Sequence, residues 1–261
     1  MRSKSAGAGL KRQLHNVKWQ ARPGMLPFGM SEKGYGQFCP VALASEVLAG
    51  RWTALVIREL LVGSVRFNDL QRGVPRMSSA LLARRLKELQ FAGIVERRRG
   101  DKVWEYHLTA AGRELFPMVE MMGKWAQRWL HHKLVDTANL DPDLLMWDIR
   151  RTVMHRPPAG AARYVAEFRL SGVPINRRRY WLVFERGFAD LCYKDPGFAV
   201  DLYVEGTLRL LTRIWLGHVA IATALRDGKL RLDGSRRDVA AFSTWFTLSP
   251  FAPAAALAAA E

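Results

Sequence analysis

The 261-residue sequence predicts an α+β protein with two successive domains. Three observations support this fold class. First, a short helix and a tight turn precede a helix at residues 76–93 that has leucines along one face. Second, an arginine-rich pair of strands follows at residues 94–109. Third, several strands precede several helices beyond residue 162.

The stretch RMSSALLARRLKELQFAG, residues 76–93, predicts an amphipathic helix that begins at Ser78 as N-cap. Its buried seam is formed by Leu82, Leu86 and Leu89, at positions i, i+4 and i+7. Residues 66–75 predict a very short helix before it, which ends at Gly73 and Pro75. A short helix, a tight turn and a second helix form a helix-turn-helix, and the outward face of the second helix carries Ala80, Arg84, Lys87 and Glu88.

The stretch IVERRRGDKVWEYHLT, residues 94–109, predicts a β-hairpin that turns at Gly100. One arm carries three consecutive arginines. A helix-turn-helix followed by a basic hairpin is a winged helix, which places the second helix in the major groove of double-stranded DNA and the hairpin over the adjacent backbone.

Two groups of residues are the candidate DNA contacts. Ser78 and Ser79 suit phosphate at the helix N-terminus, Arg84 and Lys87 suit base edges or phosphates, and Arg85 suits a backbone phosphate or an internal partner. In the hairpin, the candidates for phosphate or the minor groove are Arg97, Arg98, Arg99 and Lys102. Two alternatives are open: an ion pair between Arg84 and Glu88, and a solvated edge of hairpin arginines that prevents aggregation.

Two helices are predicted at residues 41–50 and 51–62, before the helix-turn-helix. A further helix is predicted after the hairpin, from Thr109 as N-cap to residue 130, with a kink at Pro117. Its apolar stripe is wider than a lone three-helix module needs, and we expect part of it to contact a second subunit. Packing against the C-terminal half is the alternative. The stripe contains Leu115, Met118, Val119, Met122, Trp125, Ala126 and Trp129.

The net charge of +16 is concentrated in residues 1–135, which hold 23 of the 40 basic and 10 of the 24 acidic side chains. A polyanionic partner is therefore expected for that half, with an anionic membrane surface as the rival. Residues 1–37 read as a basic, flexible arm. Two distant cysteines fit a reducing cytoplasm, and no 18-residue apolar segment, secretory signal, zinc spacing or catalytic constellation is found in the sequence.

The C-terminal half predicts a helix at residues 141–153, then strands at 162–170, 178–187, 188–194 and 198–206. Helices at 207–217 and 218–228, a strand at 229–234 and a last helix at 236–246 follow, which suggests helices over one sheet face. The aromatic and aliphatic content suits either a ligand cavity or a solid core. The pocket candidates are Trp181, Val183, Leu211, Trp215, Phe242 and Trp245.

Residues 38–130 resemble the HxlR-type transcriptional regulators, a winged-helix family related to the MarR regulators. The resemblance rests on the order and spacing of short motifs over about ninety residues, among them Cys39-Pro40, Gly50-Arg51-Trp52-Thr53, Arg58-Glu59-Leu60, Arg66-Phe67-Asn68-Asp69-Leu70, Arg85-Leu86, Leu108-Thr109 and Gly112. It implies a homodimer on a palindromic operator. It also makes Cys39 a candidate redox or electrophile sensor, with a small buried apolar residue as the alternative.

Residues 141–251 resemble, through shorter motifs, the sterol-carrier-protein-type lipid-binding domains. The motifs are Leu216-Gly217, Ala224-Leu225, Gly228-Lys229-Leu230 and Leu232-Asp233-Gly234. The resemblance implies an apolar tunnel between sheet and helices and no catalytic residues.

The sequence thus predicts four regions: a basic arm (1–37), a winged helix-turn-helix with a dimerisation helix (38–132), a sterol-carrier-like domain (139–251) and a low-complexity tail (252–261). The predicted protein is a cytoplasmic, dimeric transcriptional regulator without cofactor, metal or enzymatic activity, controlled by an apolar ligand or by a thiol. The alternative is a lipid carrier or membrane-surface protein whose basic half binds anionic lipid; an enzyme is a weaker third reading.

Overall fold

The structure, a computed structural model, describes residues 34–153 and 162–252. Nearly all of the predicted arm and of the low-complexity tail lies outside the described residues. The described part folds into an N-terminal helical domain with a β-hairpin and a C-terminal domain built on a five-stranded sheet. The predicted α+β class with an N-terminal helix-turn-helix is confirmed.

The N-terminal domain is a winged helix. Its core is formed by the inward faces of three helices and the base of the hairpin, and the predicted seam of Leu82, Leu86 and Leu89 is at most 1% exposed. Its elements are α1 (Pro40–Leu48), α2 (Thr53–Leu61), α3 (Phe67–Gly73), α4 (Ser79–Phe91), β1 (Val95–Arg99), β2 (Trp104–Leu108), α5 (Ala110–Arg113), α6 (Phe116–Trp129) and α7 (His131–Leu134).

The long helix predicted after the hairpin is two helices. Thr109 is the N-cap, as predicted, and its side chain accepts a hydrogen bond from the Gly112 amide at 3.1 Å. Instead of kinking one helix, Pro117 stands in the first turn of α6, and α5 ends at Arg113. Proline is tolerated in a first turn but clashes with the carbonyl four residues earlier in a helix interior, so the chain restarts rather than bends.

The C-terminal domain has its strands before most of its helices, as predicted. Its sheet order is β5-β4-β3-β6-β7, with β3 and β6 parallel and the other neighbours antiparallel. Its elements are α8 (Pro142–Thr152), β3 (Arg163–Ser171), β4 (Arg179–Glu185), β5 (Phe188–Cys192), β6 (Leu202–Thr207), α9 (Leu208–Trp215), α10 (Ile221–Arg226), β7 (Arg231–Gly234) and α11 (Arg236–Trp245).

The strand predicted at residues 198–206 begins only at Leu202. The reason is local, because Asp201 pairs with the backbone of β3 through its side chain: Val165 N–H donates to Asp201 Oδ2 at 2.8 Å. Phe198 lies outside the strand and packs against the Arg163 guanidinium, 3.8 Å from the ring centre.

The six predicted pocket residues do not line one space. Because strand side chains alternate, Trp181 and Val183 lie on one face of the sheet with Val165. The other four lie with the helices that cover the opposite face, and there the rings of Phe242, Trp245 and Phe246 pack 5.0–6.4 Å from each other. Leu211, Phe242 and Trp245 are at most 3% exposed, so these side chains form a solid core where a tunnel was expected.

Helix α8 joins the two domains. Leu145, Met146 and Ile149 belong to the core beneath the sheet. Trp147 is also buried, and the guanidinium of Arg72 from α3 stacks over its ring at 5.3 Å. The helix therefore packs on its own domain through one face and on the winged helix through another.

A buried ionic cluster lies at this junction. Glu59 of α2 is fully buried and forms ion pairs with Arg58 and with Arg151 of α8, and Arg151 also pairs with Asp148. Ser64 Oγ donates to Glu59 Oε2 at 3.3 Å, and Arg58 Nη2 donates to the Gly73 carbonyl at 3.2 Å. Two carboxylates and two guanidiniums thus share one site, so no isolated charge is left in the interior.

Arg151→Ala is predicted to destabilise the folded chain by about 3–5 kcal/mol, because Glu59 and Asp148 lose their common partner while remaining buried. Urea denaturation monitored by tryptophan fluorescence measures the effect. The control is Arg226→Ala, which removes an exposed arginine and is expected to change stability by no more than about 0.5 kcal/mol. Equal midpoints for the two variants would contradict the prediction.

Candidate nucleic-acid interface

Helix α4 presents the predicted contact surface. Ser78 is its N-cap and accepts a hydrogen bond from the Leu81 amide at 3.3 Å, as the sequence predicts. Ser78, Ser79 and Ala80 are all exposed, so the first turn offers free backbone N–H groups beside small side chains. Phosphate is a suitable ligand for such a helix end.

Arg84 and Lys87 point to solvent from the same helix. The Arg84 side chain is 57% exposed and lies 3.7 Å from Glu88, a loose contact, and Lys87 is also exposed. The seam of leucines anchors the opposite face, so the two cations stand on the outer surface of the domain. They are available to base edges or phosphates.

Arg85 has one of its two expected partners, whereas Glu88 differs from the expectation. Arg85 is only 17% exposed in its side chain and pairs with Glu88 at 2.5 Å, and its guanidinium lies against Gly50. Glu88, expected on the outward face, is 8% exposed. Of the two roles open to Arg85, backbone phosphate or internal partner, the structure places it in the second, because its charge is needed to neutralise a buried carboxylate.

The hairpin forms the wing. Arg97 pairs with Tyr106, Arg98 with Glu105 and Arg99 with Trp104 across the two strands, and residues 100–103 make the turn. Arg97, Arg98, Arg99 and Lys102 are exposed. Alternation places Arg97 and Arg99 on one face and Arg98 on the other, as predicted.

The four wing cations have different surroundings. The Arg97 guanidinium lies 4.4 Å from the centre of the half-exposed Trp104 ring, and Arg98 pairs with Glu96. Within the described part of the chain, no carboxylate pairs with Arg99 or Lys102. The tip of the wing therefore carries two cations, Arg99 and Lys102, that form no ion pair with the described residues.

Sequence reasoning missed Arg66. Its side chain is 62% exposed and lies 3.8 Å from Glu105 of β2. It reaches the wing because residues 65 and 66 pair with β2, where the Tyr106 amide donates to the Val65 carbonyl at 2.7 Å. The Ser64-Val65-Arg66 segment between two helices was the available signal, since winged helices commonly add a short strand there to the hairpin.

Cys39 lies at the N-cap position of α1, immediately before Pro40, and is partly exposed. Cys192 is partly exposed at the end of β5, where burial raises the pKa of its thiol. Among the described residues, no group of three or more His, Cys, Asp or Glu side chains is placed to hold a metal ion.

No single helix of the described residues is long and apolar enough to cross a membrane. Helices α1 and α2 reach the required length and apolarity only together, with a bend of 82° between them. Val56, Ile57 and Leu60 of α2 are core residues of the winged helix, which accounts for the apolar character of that helix.

Comparison with known proteins gives a match to the family model of the HxlR-like helix-turn-helix over residues 47–134. The chain is 36% identical over 104 residues to the uncharacterized HTH-type transcriptional regulator YvaP of Bacillus subtilis, a match that spans 96% of that protein and 38% of this chain. An uncharacterized HTH-type transcriptional regulator of Methanothermobacter thermautotrophicus is 28% identical over 115 residues, across 88% of its length and 42% of this chain.

The chain belongs to the HxlR-like helix-turn-helix family. Among solved structures, the redox regulator HypR in its reduced form is 32% identical over 36% of this chain and 99% of that chain, with a TM-score of 0.34. The family model ends at residue 134, so α8 and the five-stranded sheet lie beyond the matched segment.

Single substitutions of two neighbouring arginines in α4 are predicted to affect stability differently, because one arginine is largely buried and the other is exposed. Arg85→Ala is expected to lower stability by about 1–3 kcal/mol, because Glu88 remains buried without its close partner. Arg84→Ala is expected to stay within about 0.5 kcal/mol of the wild type. Thermal and urea unfolding measure both effects, and equal losses in the two variants would show that Arg85 has no structural role.

Proposed function

We propose that this protein is a sequence-specific DNA-binding transcriptional regulator that acts as a homodimer. The observation that carries the proposal is the exposed cationic face of α4, with Arg84 and Lys87 outward and Ser78 at its open N-terminus. That helix belongs to the segment matched by the HxlR-like helix-turn-helix family.

In the proposed complex, α4 enters the major groove. Arg84 and Lys87 reach base edges, because an arginine can bond guanine with two parallel hydrogen bonds. The wing lies over the flanking backbone, where Arg99 and Lys102 neutralise phosphates. Arg66, beside the wing, adds a further positive charge to the same surface.

The homodimer is supported by two helices that bury none of their residues. No residue of α1 or α6 is buried within the chain. On α6, Leu115 and Val119 pack against the domain core, whereas Met118, Met122, Trp125 and Trp129 are half exposed. On α1 and just before it, Phe38, Val41 and Leu43 are exposed. Apolar surface of this extent fits a second copy of the winged helix, and a two-fold axis matches a palindromic operator.

The proposal includes no apolar effector, because the space between sheet and helices is filled by Leu211, Phe242 and Trp245. It assigns to the C-terminal domain the role of a rigid partner that holds the winged helix through α8.

The recognition role of α4 is tested with an operator selected from a random DNA pool by the wild-type protein. Arg84→Ala/Lys87→Ala is expected to weaken binding to this operator by at least about 30-fold, since two lost base contacts at about 1–3 kcal/mol each remove about 2 kcal/mol or more. Fluorescence anisotropy at fixed salt measures the dissociation constant. Arg226→Ala/Arg231→Ala, with the same loss of charge in exposed arginines of the C-terminal domain, should bind like the wild type.

The wing is compared in the same assay. Arg98→Ala/Arg99→Ala is expected to weaken binding to all sequences alike and to reduce the slope of log affinity against log salt by about 0.9 per lost phosphate contact. Unchanged operator affinity in the α4 variant would reject the proposed interface. Retention on anionic vesicles, with no preference for any DNA, would instead favour the lipid-surface alternative.

The dimer is tested at α6. Trp125→Glu is expected to convert the protein to a monomer, because a carboxylate in an apolar interface would lose its hydration. Light scattering coupled to gel filtration gives the mass. Ile175→Glu is the control, as Ile175 of the C-terminal domain is 81% exposed and should tolerate the charge as a dimer. A wild-type monomer, or a dimeric Trp125→Glu variant, would exclude this interface.

Thiol control through Cys39 is a further part of the proposal, based on a partly exposed thiol at the start of α1. Mild peroxide or quinone is expected to modify Cys39 and to change operator affinity, whereas Cys39→Ser should keep its affinity under the same treatment. Peptide mass spectrometry and anisotropy report the two events. An unmodified Cys39 with unchanged affinity would remove the sensor role.

A further inference from the structure

A cleft of about 350 Å³ opens between the two domains, on the surface formed by α6, α7 and α9. Helices α6 and α7 belong to the winged-helix domain, and α9 belongs to the sheet domain. The lining residues are Gln127, His131, His132, Val135, Arg209, Arg213 and His218, with no carboxylate among them.

The α9 wall carries two arginines without counterions. Arg209 and Arg213 are one helical turn apart and share a face of the helix. Both are exposed, and neither forms an ion pair with any described residue. Other arginines of the same domain are neutralised: Arg169 and Arg179 both pair with the buried Glu167, at 2.9 Å and 2.7 Å. The unpaired pair in the cleft is thus a local excess of positive charge.

Three imidazoles also line the cleft: two belong to the opposite wall, and His218 directly follows α9. His131 and His132 contact each other edge to face, with ring centres 5.7 Å apart. His218 is partly buried, and its Nε2 lies 2.6 Å from Gln127 Oε1. Because Gln127 Nε2 donates to the Leu216 carbonyl at 3.3 Å, Oε1 is the acceptor and His218 Nε2 carries the proton. The Nδ1 atom remains free to accept a second one.

Protonation of His218 is opposed by its surroundings. Burial, followed by the charges of Arg213 and His131, lowers its pKa. The groups that face it are Arg213 on α9, His131 on α7 and Gln127 on α6, of which none is acidic. An anion between the two walls would relieve the repulsion among all of these groups.

We propose that this cleft binds a small, multiply charged oxyanion, of the class of phosphate esters or polycarboxylates. Arg209 and Arg213 are its main ligands, since guanidiniums bind phosphate and carboxylate oxygens with two parallel hydrogen bonds. His131 and His132 supply further donors from the α7 wall, and His218, which follows α9, donates through Nδ1 when it is protonated.

The position of the cleft gives the site a regulatory consequence, which rests on the proposed function. A bound anion would bridge α9 of the sheet domain to the end of α6, the helix proposed to pair with a second subunit. If the dimer geometries with and without DNA differ in the width of the cleft, the anion binds them with different affinities and shifts operator binding. The free oxyanion, not the DNA backbone, is the proposed occupant.

The test uses the full-length protein and two probes, inorganic pyrophosphate and sulfate, by isothermal titration calorimetry. Wild-type protein is expected to bind one pyrophosphate per chain. Arg209→Ala/Arg213→Ala should bind at least about tenfold more weakly, as two charge-assisted hydrogen-bonding groups are lost. The control, Arg226→Ala/Arg231→Ala, loses the same charge outside the cleft and should keep wild-type affinity. The single variant Arg213→Gln, expected to be intermediate, guards against a folding defect in the double variant.

Sulfate tests the histidines at fixed pH. It is expected to bind more weakly to His131→Ala/His132→Ala than to the wild type, because that variant lacks the imidazoles of the α7 wall. The absence of a one-to-one pyrophosphate complex, or equal affinities in the cleft variant and its control, would overturn the site.

The regulatory consequence is measured separately, as operator affinity with and without pyrophosphate at constant ionic strength. A shift in the wild type and the control, absent in Arg209→Ala/Arg213→Ala, supports it. A bound anion with no shift overturns the coupling and leaves the site, whereas failure to bind any DNA overturns the proposed function alone. Weaker DNA binding by the cleft variant without any anion would assign the cleft to the DNA backbone and reject the free oxyanion.

Discussion

The relative placement of the two domains depends on one buried group, the carboxylate of Glu59. A charge in that position is tolerated only because Arg58 reaches it from the same helix and Arg151 reaches it from α8. Gly73 leaves room for the carboxylate, since an added Cβ at that position would overlap its oxygens. The same contact therefore fixes α2, the start of the helix-turn-helix and the first helix of the sheet domain. The orientation of α4 relative to the cleft therefore also depends on this contact.

Burial determines whether an arginine stabilises the interior or is available to an external anion. Arg58, Arg85 and Arg151 each neutralise a buried carboxylate and stabilise the interior. Arg84, Arg99, Arg209 and Arg213 are exposed and have at most a distant partner, so their charge is available to an external anion. Within the described part of the chain, α4, the wing and one face of α9 are three places that carry cations without a close ion pair.

Much of the fold followed from local patterns. The leucine seam, the N-caps Ser78 and Thr109, the hairpin turn and the order of strands and helices beyond residue 162 are all set by periodicity and by residues with strong conformational preferences. The failures have a common cause, which is that a sequence pattern does not reveal tertiary partners. The helical spacing predicted that Glu88 faces solvent, but in the structure it is buried beside Arg85. In the ionic cluster, Glu59 and Arg151 are 92 positions apart in the sequence.

The candidate site residues were also predicted only in part from the sequence. Arg84, Lys87 and the wing cations were found because their spacing places them on exposed faces. Arg66 and the pair Arg209 and Arg213 were not found, because their significance comes from what lies beside them in space. The pocket candidates failed for another reason: Trp181 and Leu211 are both buried and apolar, but strand alternation puts the sheet itself between Trp181 and the helices that contain the others.

Because α8 packs on both domains, its contacts also affect where the polypeptide can be cut into separate fragments. The match to YvaP spans 96% of that protein but only 38% of this chain. In this chain, ending the polypeptide before α8 would remove Arg151 from Glu59 and uncover the side of α3 that Arg72 now presents to Trp147. A fragment cut at the family boundary would leave Glu59 with Arg58 but without Arg151. The buried contacts of α8 thus belong to the stability of both domains.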